Sequence, residues 1–184
     1  MLVHFLLNPR KVGALCSSSN KLSELITSNI DIENAKNIVE IGPGYGVFTK
    51  KILNKRADDS IFFALEINPS IANKLVSKIT DVEVEVDSAE NLLSIMKRRK
   101  VDYLDVVISG LPWSVFTQKE QDRLLDTIYM SLKDGGYFAT FAYALPTPQA
   151  KIFKKKLFDK FKEVEVSKII WGNVPPAFVY YCKK

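Results

Sequence analysis

The clearest indication of how this chain folds is the segment Ile38-Val39-Glu40-Ile41-Gly42-Pro43-Gly44-Tyr45-Gly46. Its short apolar run predicts a β-strand with an acidic residue near the end, and glycines follow the strand directly. Because glycine has no side chain, such a turn lets the backbone approach a bound nucleotide closely, and the helix after it offers free N–H groups. A dinucleotide-binding loop would place its third glycine at Val47, whereas here it falls one position earlier, at Gly46. A tight turn without a ligand is the alternative interpretation.

The glycine pattern also has a family likeness. Glu40, Gly42, Gly44 and Gly46 form the pattern E-x-G-x-G-x-G, which resembles the cofactor loop of class I S-adenosylmethionine (SAM) methyltransferases. The resemblance implies that SAM is the cofactor and that these four residues belong to its site.

Length and composition limit the classes of protein that fit. With 184 residues, 47% of them hydrophobic, the chain suits one domain spanning residues 1–184. Cys16 and Cys182 lie at opposite ends and His4 is the single histidine, so neither a metal site nor a disulfide framework is indicated, and a cytoplasmic location is expected. The apolar run of residues 1–7 is too short for a signal core or a membrane span, although it could lie on a membrane surface.

The net charge of +5 is concentrated in two lysine-rich segments. One covers residues 97–100 and the other contains six lysines within residues 151–162. Such segments attract the phosphates of lipids or nucleic acids, although a solvated charged surface explains each of them as well.

Strand and helix patterns alternate along most of the chain, which predicts an α/β fold with a parallel sheet covered on both faces. Strands are predicted at residues 37–41, 60–66, 82–86, 104–109, 136–144, 163–170 and 177–182. Helices are predicted near residues 18–30, 47–55, 69–79, 89–97, 118–132 and 148–161. The last two strands, separated by a short Gly-Asn and Pro-Pro segment, predict an antiparallel pair. A Rossmann-like sheet of seven strands with the last one antiparallel is the architecture that the methyltransferase resemblance implies.

Acidic residues follow the second and third predicted strands. Glu66, followed by Ile67, is placed to accept the ribose hydroxyls of a nucleoside bound over the sheet, or else to cap a helix. Asp87, followed by Ser88 and Ala89, is placed to accept the adenine amino group, although an N-cap explains this sequence nearly as well. Parallel strands end at one edge of the sheet, where open α/β sheets bind ligands, so these groups and the glycines are expected to lie together.

The fourth strand leads into Ser109-Gly110-Leu111-Pro112-Trp113, which resembles the N-L-P-Y type loop of amino-group methyltransferases. The resemblance implies that these residues, here called the acceptor loop (109–113), hold the target nitrogen beside the cofactor, with Ser109 also near SAM. A backbone carbonyl of Gly110 or Leu111 is expected to accept a hydrogen bond from the amine. Trp113 either stacks on a base or faces an ammonium group, or it is a buried core residue.

Segments at both ends narrow the resemblance to the bacterial phospholipid N-methyltransferases. Residues 5–14 followed by Ser17-Ser18-Ser19, and the closing Asn173-Val174-Pro175-Pro176-Ala177, are similar to segments of that family. The likeness implies that Ser18 and Ser19 contact the methionine part of SAM and that residues 1–30 form a helical lid or membrane-contact segment. It also implies an amino phospholipid such as phosphatidylethanolamine as the substrate, at an anionic membrane surface, and a peripheral membrane location.

Two alternatives stay open. The rRNA adenine dimethyltransferases share the G-P-G-x-G-x-x-T pattern of residues 42–49 and an L-P-[YFW] loop, but they carry a helical C-terminal domain, whereas this chain ends after its last predicted strand. An RNA substrate is therefore less favoured than a lipid. The other alternative is a non-enzymatic module that keeps the fold and binds membrane or RNA through its basic surfaces.

Overall fold

The computed structural model describes residues 15–184, with side chains from Asn20 onward. Six α-helices lie within this part of the chain: α1 (Leu15–Ile26), α2 (Val47–Lys55), α3 (Pro69–Lys78), α4 (Leu92–Arg99), α5 (Gln118–Ser131) and α6 (Pro148–Lys160). The strands are β1 (Asn37–Ile41), β2 (Ile61–Leu65), β3 (Glu83–Glu85), β4 (Leu104–Ser109), β5 (Leu132–Tyr143), β6 (Glu163–Val166) and β7 (Ala177–Lys183).

These strands form one seven-stranded sheet in the order β3-β2-β1-β4-β5-β7-β6. Strands β1 to β5 pair in parallel, and β7 runs antiparallel between β5 and β6. The predicted Rossmann-like sheet with a reversed last strand is thereby confirmed, and so is the predicted antiparallel pair at the end of the chain.

Helices cover both faces of the sheet, as predicted. Side chains of α1, α2 and α3 pack into one hydrophobic cluster, and those of α4, α5 and α6 pack into a second cluster on the opposite face. Strand β4 lies between the two and is buried along its whole length, which explains its nearly continuous apolar sequence.

Several predicted boundaries were wrong. Strand β6 ends at Val166 instead of residue 170, because the Ser167 hydroxyl accepts a hydrogen bond from the Val179 N–H at 2.9 Å where the ladder would continue. Helix α1 ends at Ile26 instead of residue 30. The helix predicted from residue 89 begins as a 3₁₀ turn, Ala89–Asn91, and becomes α-helical at Leu92.

The predicted N-terminal lid or membrane-contact segment falls largely on residues 1–14, which lie outside the described residues. None of the helices in residues 15–184 is long and apolar enough to cross a membrane.

Candidate functional site

The glycine loop (residues 42–46) leaves β1 in a conformation that requires glycine. Gly42, Gly44 and Gly46 have φ angles of 70°, 55° and 84°, a region that other residues rarely adopt. A Cβ at Gly42 would lie 2.8 Å from a Leu111 methyl carbon, and one at Gly46 would lie 2.5 Å from Ile79. A Cβ at Gly44 would meet no atom within 4 Å, so the space over this residue is open. The outer two glycines are therefore needed for packing, while Gly44 faces free volume.

Glu66 adjoins this open space, as the sequence predicts. Its carboxylate accepts hydrogen bonds from the Gly44 N–H at 3.4 Å and from the Asn68 N–H at 3.0 Å, and the residue is 7% exposed. The neighbouring Ile67 is 72% exposed. The end of β2 thus presents a carboxylate and an exposed apolar side chain beside the glycine loop.

Glu40 lies beneath the loop and has no exposed surface. Its carboxylate accepts a 2.6 Å hydrogen bond from the Thr49 hydroxyl of α2, and its other oxygen is buried without a partner among the described residues. Burial raises the pKa of Glu40 to about 8, the Thr49 hydrogen bonds oppose this shift, and the charge of Glu66 adds to it. In this position Glu40 ties the end of β1, which leads into the glycine loop, to the first turn of α2.

Asp87, Ser88 and Ala89 follow β3 at the same edge. The Asp87 carboxylate accepts hydrogen bonds of 2.7 Å from both the Ser88 N–H and the Asn91 side-chain amide, and these bonds lower its pKa. The Ser88 hydroxyl accepts a hydrogen bond from the Glu90 N–H and caps the 3₁₀ turn. The capping interpretation therefore holds for Ser88, while the carboxylate of Asp87 stays partly exposed at the strand edge.

The acceptor loop packs directly on the glycine loop. The Gly110 N–H donates to the Ile41 carbonyl at 2.8 Å, and a Cβ at Gly110 would lie 2.4 Å from the Gly42 carbonyl oxygen. Ser109 is fully buried, and its hydroxyl accepts a hydrogen bond from the Leu111 N–H at 3.2 Å. The glycine loop and the acceptor loop, which lie more than 60 residues apart in the sequence, are thus in contact. Glycine is required on both sides of this contact, at Gly42 and at Gly110.

Trp113 is a core residue and not the exposed stacking platform considered from the sequence. It is 2% exposed, its ring stacks on Phe153 with centroids 4.5 Å apart, and Phe116 and Phe138 meet it edge-on. Its indole N–H donates to the Thr140 hydroxyl at 2.8 Å. The ring is therefore already engaged by the protein and anchors the end of the acceptor loop.

An apolar cavity of about 360 Å³ lies beyond the acceptor loop, next to the ends of β4 and β5. Pro112, Trp113 and Ser114 line one side, and Tyr143 lines it at the end of β5. Burial raises the pKa of Tyr143, so its hydroxyl is neutral at physiological pH. The remaining lining residues are Phe141, Ala142, Ala144, Leu145, Pro146, Thr147, Ala150, Lys151, Phe153, Lys154, Ile169, Phe178 and Tyr180.

Sequence reasoning missed most of this cavity. Its walls come from the end of β5, the start of α6, β7 itself and the segment before β7, and no local motif joins these regions. One available signal was the spacing of Lys151 and Lys154, which places both lysines on one side of a helix.

The predicted contacts of Ser18 and Ser19 stay predictions. Both residues lie within α1, but their side chains are outside the described part of the chain.

Comparison with known proteins agrees with this geometry. Residues 15–99 match the family model described as ribosomal RNA adenine dimethylase. That match covers less than half of the chain: it contains the glycine loop, Glu66 and Asp87 and ends before the acceptor loop. It therefore concerns the part of the candidate site formed by the glycine loop, Glu66 and Asp87, and not the acceptor loop.

Similarity to individual proteins extends further along the chain. An ornithine lipid N-methyltransferase of Singulisphaera acidiphila is 29% identical over 175 residues, which cover 94% of this chain and 88% of that protein. An O-methyltransferase from Bacillus cereus, solved in complex with SAH, superposes with a TM-score of 0.68 at 16% identity over 91% of this chain and 81% of its own. A SAM-dependent O-methyltransferase from Thermotoga maritima gives a TM-score of 0.64 at 20% identity, and 91% of this chain spans 64% of that protein.

The strand order, the glycine loop and these similarities define the fold as that of a class I SAM-dependent methyltransferase, and together they indicate an enzyme that transfers a methyl group. Within that class, the chain resembles a lipid N-methyltransferase over nearly its whole length.

Proposed function

We propose that this chain transfers a methyl group from SAM to the amino group of a lipid, with a phosphatidylethanolamine-type headgroup as the acceptor. The observation that carries this proposal is the position of the acceptor loop. One side of the loop contacts the glycine loop through Gly110 and Leu111, and the other borders the apolar cavity through Pro112 and Trp113. An amine held at this loop would have a nucleotide-type site on one side and an apolar compartment on the other.

The residues at the carboxyl edge of the sheet fit SAM. The open volume over Gly44 admits a ligand close to the backbone, and the Glu66 carboxylate beside it is the proposed acceptor for the ribose hydroxyls. Asp87, one strand further along, is the proposed acceptor for the adenine amino group. When bound, SAM supplies a methyl group activated on a sulfonium, so the protein's main task is to hold the amine close and aligned.

The acceptor loop offers a specific contact for the amine. The Leu111 carbonyl already accepts a hydrogen bond from the Trp113 N–H at 3.1 Å, whereas no described residue donates to the Gly110 carbonyl. We therefore assign the Gly110 carbonyl as the group that orients the amine. Among residues 20–184, the cavity lining contains no carboxylate and no histidine, so no general base is assigned. Nearby cations lower the pKa of a bound amine.

The cofactor half of the proposal is tested by SAM calorimetry on Gly44→Val and Glu66→Ala. We expect each substitution to weaken SAM binding at least about tenfold, because valine fills the open volume and alanine removes a charge-assisted acceptor. Gly135→Val is the matched control: Gly135 also has a positive φ, 75°, with no atom within 4 Å of its Cβ position, but it lies near the amino end of β5. Unchanged affinity in both site variants would contradict the assignment.

The acceptor half is tested by offering labelled SAM with phosphatidylethanolamine vesicles, an ornithine lipid, rRNA and small amines in parallel. The resemblance of residues 15–99 to rRNA adenine dimethylases makes RNA methylation the second candidate function. Label in a lipid amine supports the proposal, and label confined to rRNA would support the second candidate instead.

A further inference from the structure

The five lysines of α6 divide into two groups. Lys155 pairs with Asp159 at 2.5 Å, Lys156 with Asp122 at 2.6 Å and Lys160 with Asp126 at 2.5 Å. Lys151 and Lys154 instead line the apolar cavity, and within residues 20–184 no carboxylate lies within 4 Å of their ammonium groups. The three lysines that lie outside the cavity lining are thus paired with carboxylates, whereas the two that line the cavity have no carboxylate of residues 20–184 as a partner.

The walls of the same cavity are mostly apolar. Phe141, Phe153 and Phe178 contribute aromatic surface, and Leu145 and Ile169, each 38% exposed, continue that surface outward. Its volume of about 360 Å³ lies within the range of small-molecule sites. An apolar compartment with two cations at one side complements a ligand that has an apolar chain and an anionic group.

We propose that this cavity is a chain-binding subsite for an anionic amphiphile. The chain packs against the three phenylalanines, and the carboxylate or phosphate contacts Lys151 and Lys154. The inference deepens the proposed function and rests on it for the role of the subsite: a lipid held this way would present an amine near its anionic group to the acceptor loop. Binding of the amphiphile itself requires neither SAM nor methyl transfer.

Tryptophan fluorescence provides a direct readout. The chain contains two tryptophans, of which Trp113 lines the cavity and Trp171 is 75% exposed. In a Trp171→Phe background, the emission reports on the cavity alone. The probe is ω-bromododecanoate below its micelle concentration, because a bromine atom quenches an indole only at close range. We expect saturable quenching.

Four measurements separate the subsite from nonspecific binding. Lys151→Gln/Lys154→Gln should weaken probe binding about tenfold, since two charge-assisted contacts are lost, and neutral ω-bromododecanol should bind wild type about tenfold more weakly than the anionic probe. Lys97→Gln/Lys162→Gln is the charge-matched control and should bind normally, because both lysines are exposed and lie outside the cavity lining. Ala150→Phe, which fills the cavity, should abolish quenching while circular dichroism confirms an unchanged fold.

Three results would overturn the inference: quenching that does not saturate, equal binding by the double-lysine variant and its control, or displacement of the probe by an equal concentration of inorganic phosphate, which would indicate a simple anion site. Failure of methyl transfer with intact probe binding would contradict the proposed function and leave the subsite standing. Methyl transfer to lipid without probe binding in the cavity would support the proposed function and contradict the subsite.

Discussion

At the residue scale, the glycine loop depends on backbone conformation, whereas Trp113 depends on side chains from distant parts of the chain. Gly42, Gly44 and Gly46 all adopt positive φ, so their spacing directly reflects a backbone requirement. Trp113 could not be assigned in the same way, because its burial depends on Phe153, forty residues later in the chain and on another element. The glycine spacing thus predicts a local conformation, whereas no local motif indicates the contact that buries Trp113.

Glu40 gives a pH-dependent prediction at this scale. Its folded pKa of about 8 exceeds the ordinary value of 4.5, so between those values the folded chain binds a proton that the unfolded chain releases. The free energy of unfolding should therefore fall as pH rises from about 5 to about 8. Glu40→Gln lacks this titration, so its stability relative to wild type should increase across that window.

Urea unfolding at a series of pH values measures this difference. The amide oxygen of glutamine can still accept the Thr49 hydrogen bond, so the substitution changes mainly the charge. Parallel stability curves for wild type and Glu40→Gln would show that Glu40 is ionised in the folded protein.

At the scale of elements, alternating strand and helix patterns predicted the sheet and its antiparallel end, because hydrophobic periodicity reflects burial on one or both faces. The patterns failed where a side chain replaces a backbone partner. The Ser167 hydroxyl takes the place of a backbone acceptor and ends the β6 ladder. A serine within a strand-like sequence does not by itself indicate that the strand ends there. The division of the α6 lysines also depends on α5, whose Asp122 and Asp126 approach from 34 residues away along the chain.

The junction between β5 and the acceptor loop yields another prediction. The Thr140 hydroxyl of β5 donates to the Ser109 carbonyl at 3.2 Å and accepts from the Trp113 indole at 2.8 Å. Thr140→Val should lower the free energy of unfolding by about 1–3 kcal/mol, because it leaves the buried indole N–H without a partner. Thr127→Val is the control, since Thr127 donates only to a carbonyl of its own helix and its loss should cost less. Equal destabilisation of the two variants in denaturant titrations would contradict this role.

At the scale of the whole molecule, the two similarities to known proteins cover different parts of the candidate site. The match to the rRNA adenine dimethylase model covers residues 15–99, which contain the glycine loop, Glu66 and Asp87. The similarity to the ornithine lipid enzyme covers 94% of the chain and so includes the acceptor loop. The choice between RNA and lipid therefore depends on the second half of the chain. There, an apolar cavity is bordered by Lys151 and Lys154, which pair with no carboxylate of residues 20–184, and this supports the proposed lipid amine.

The most direct measurement is the mass of the lipid recovered after wild-type protein is incubated with methyl-deuterated SAM and vesicles of phosphatidylethanolamine mixed with an anionic lipid. We expect a phosphatidylethanolamine that carries one or more deuterated methyl groups on its nitrogen, in amounts that Gly44→Val reduces strongly and Gly135→Val does not. Unmodified lipid alongside deuterated rRNA in a parallel reaction would contradict this expectation.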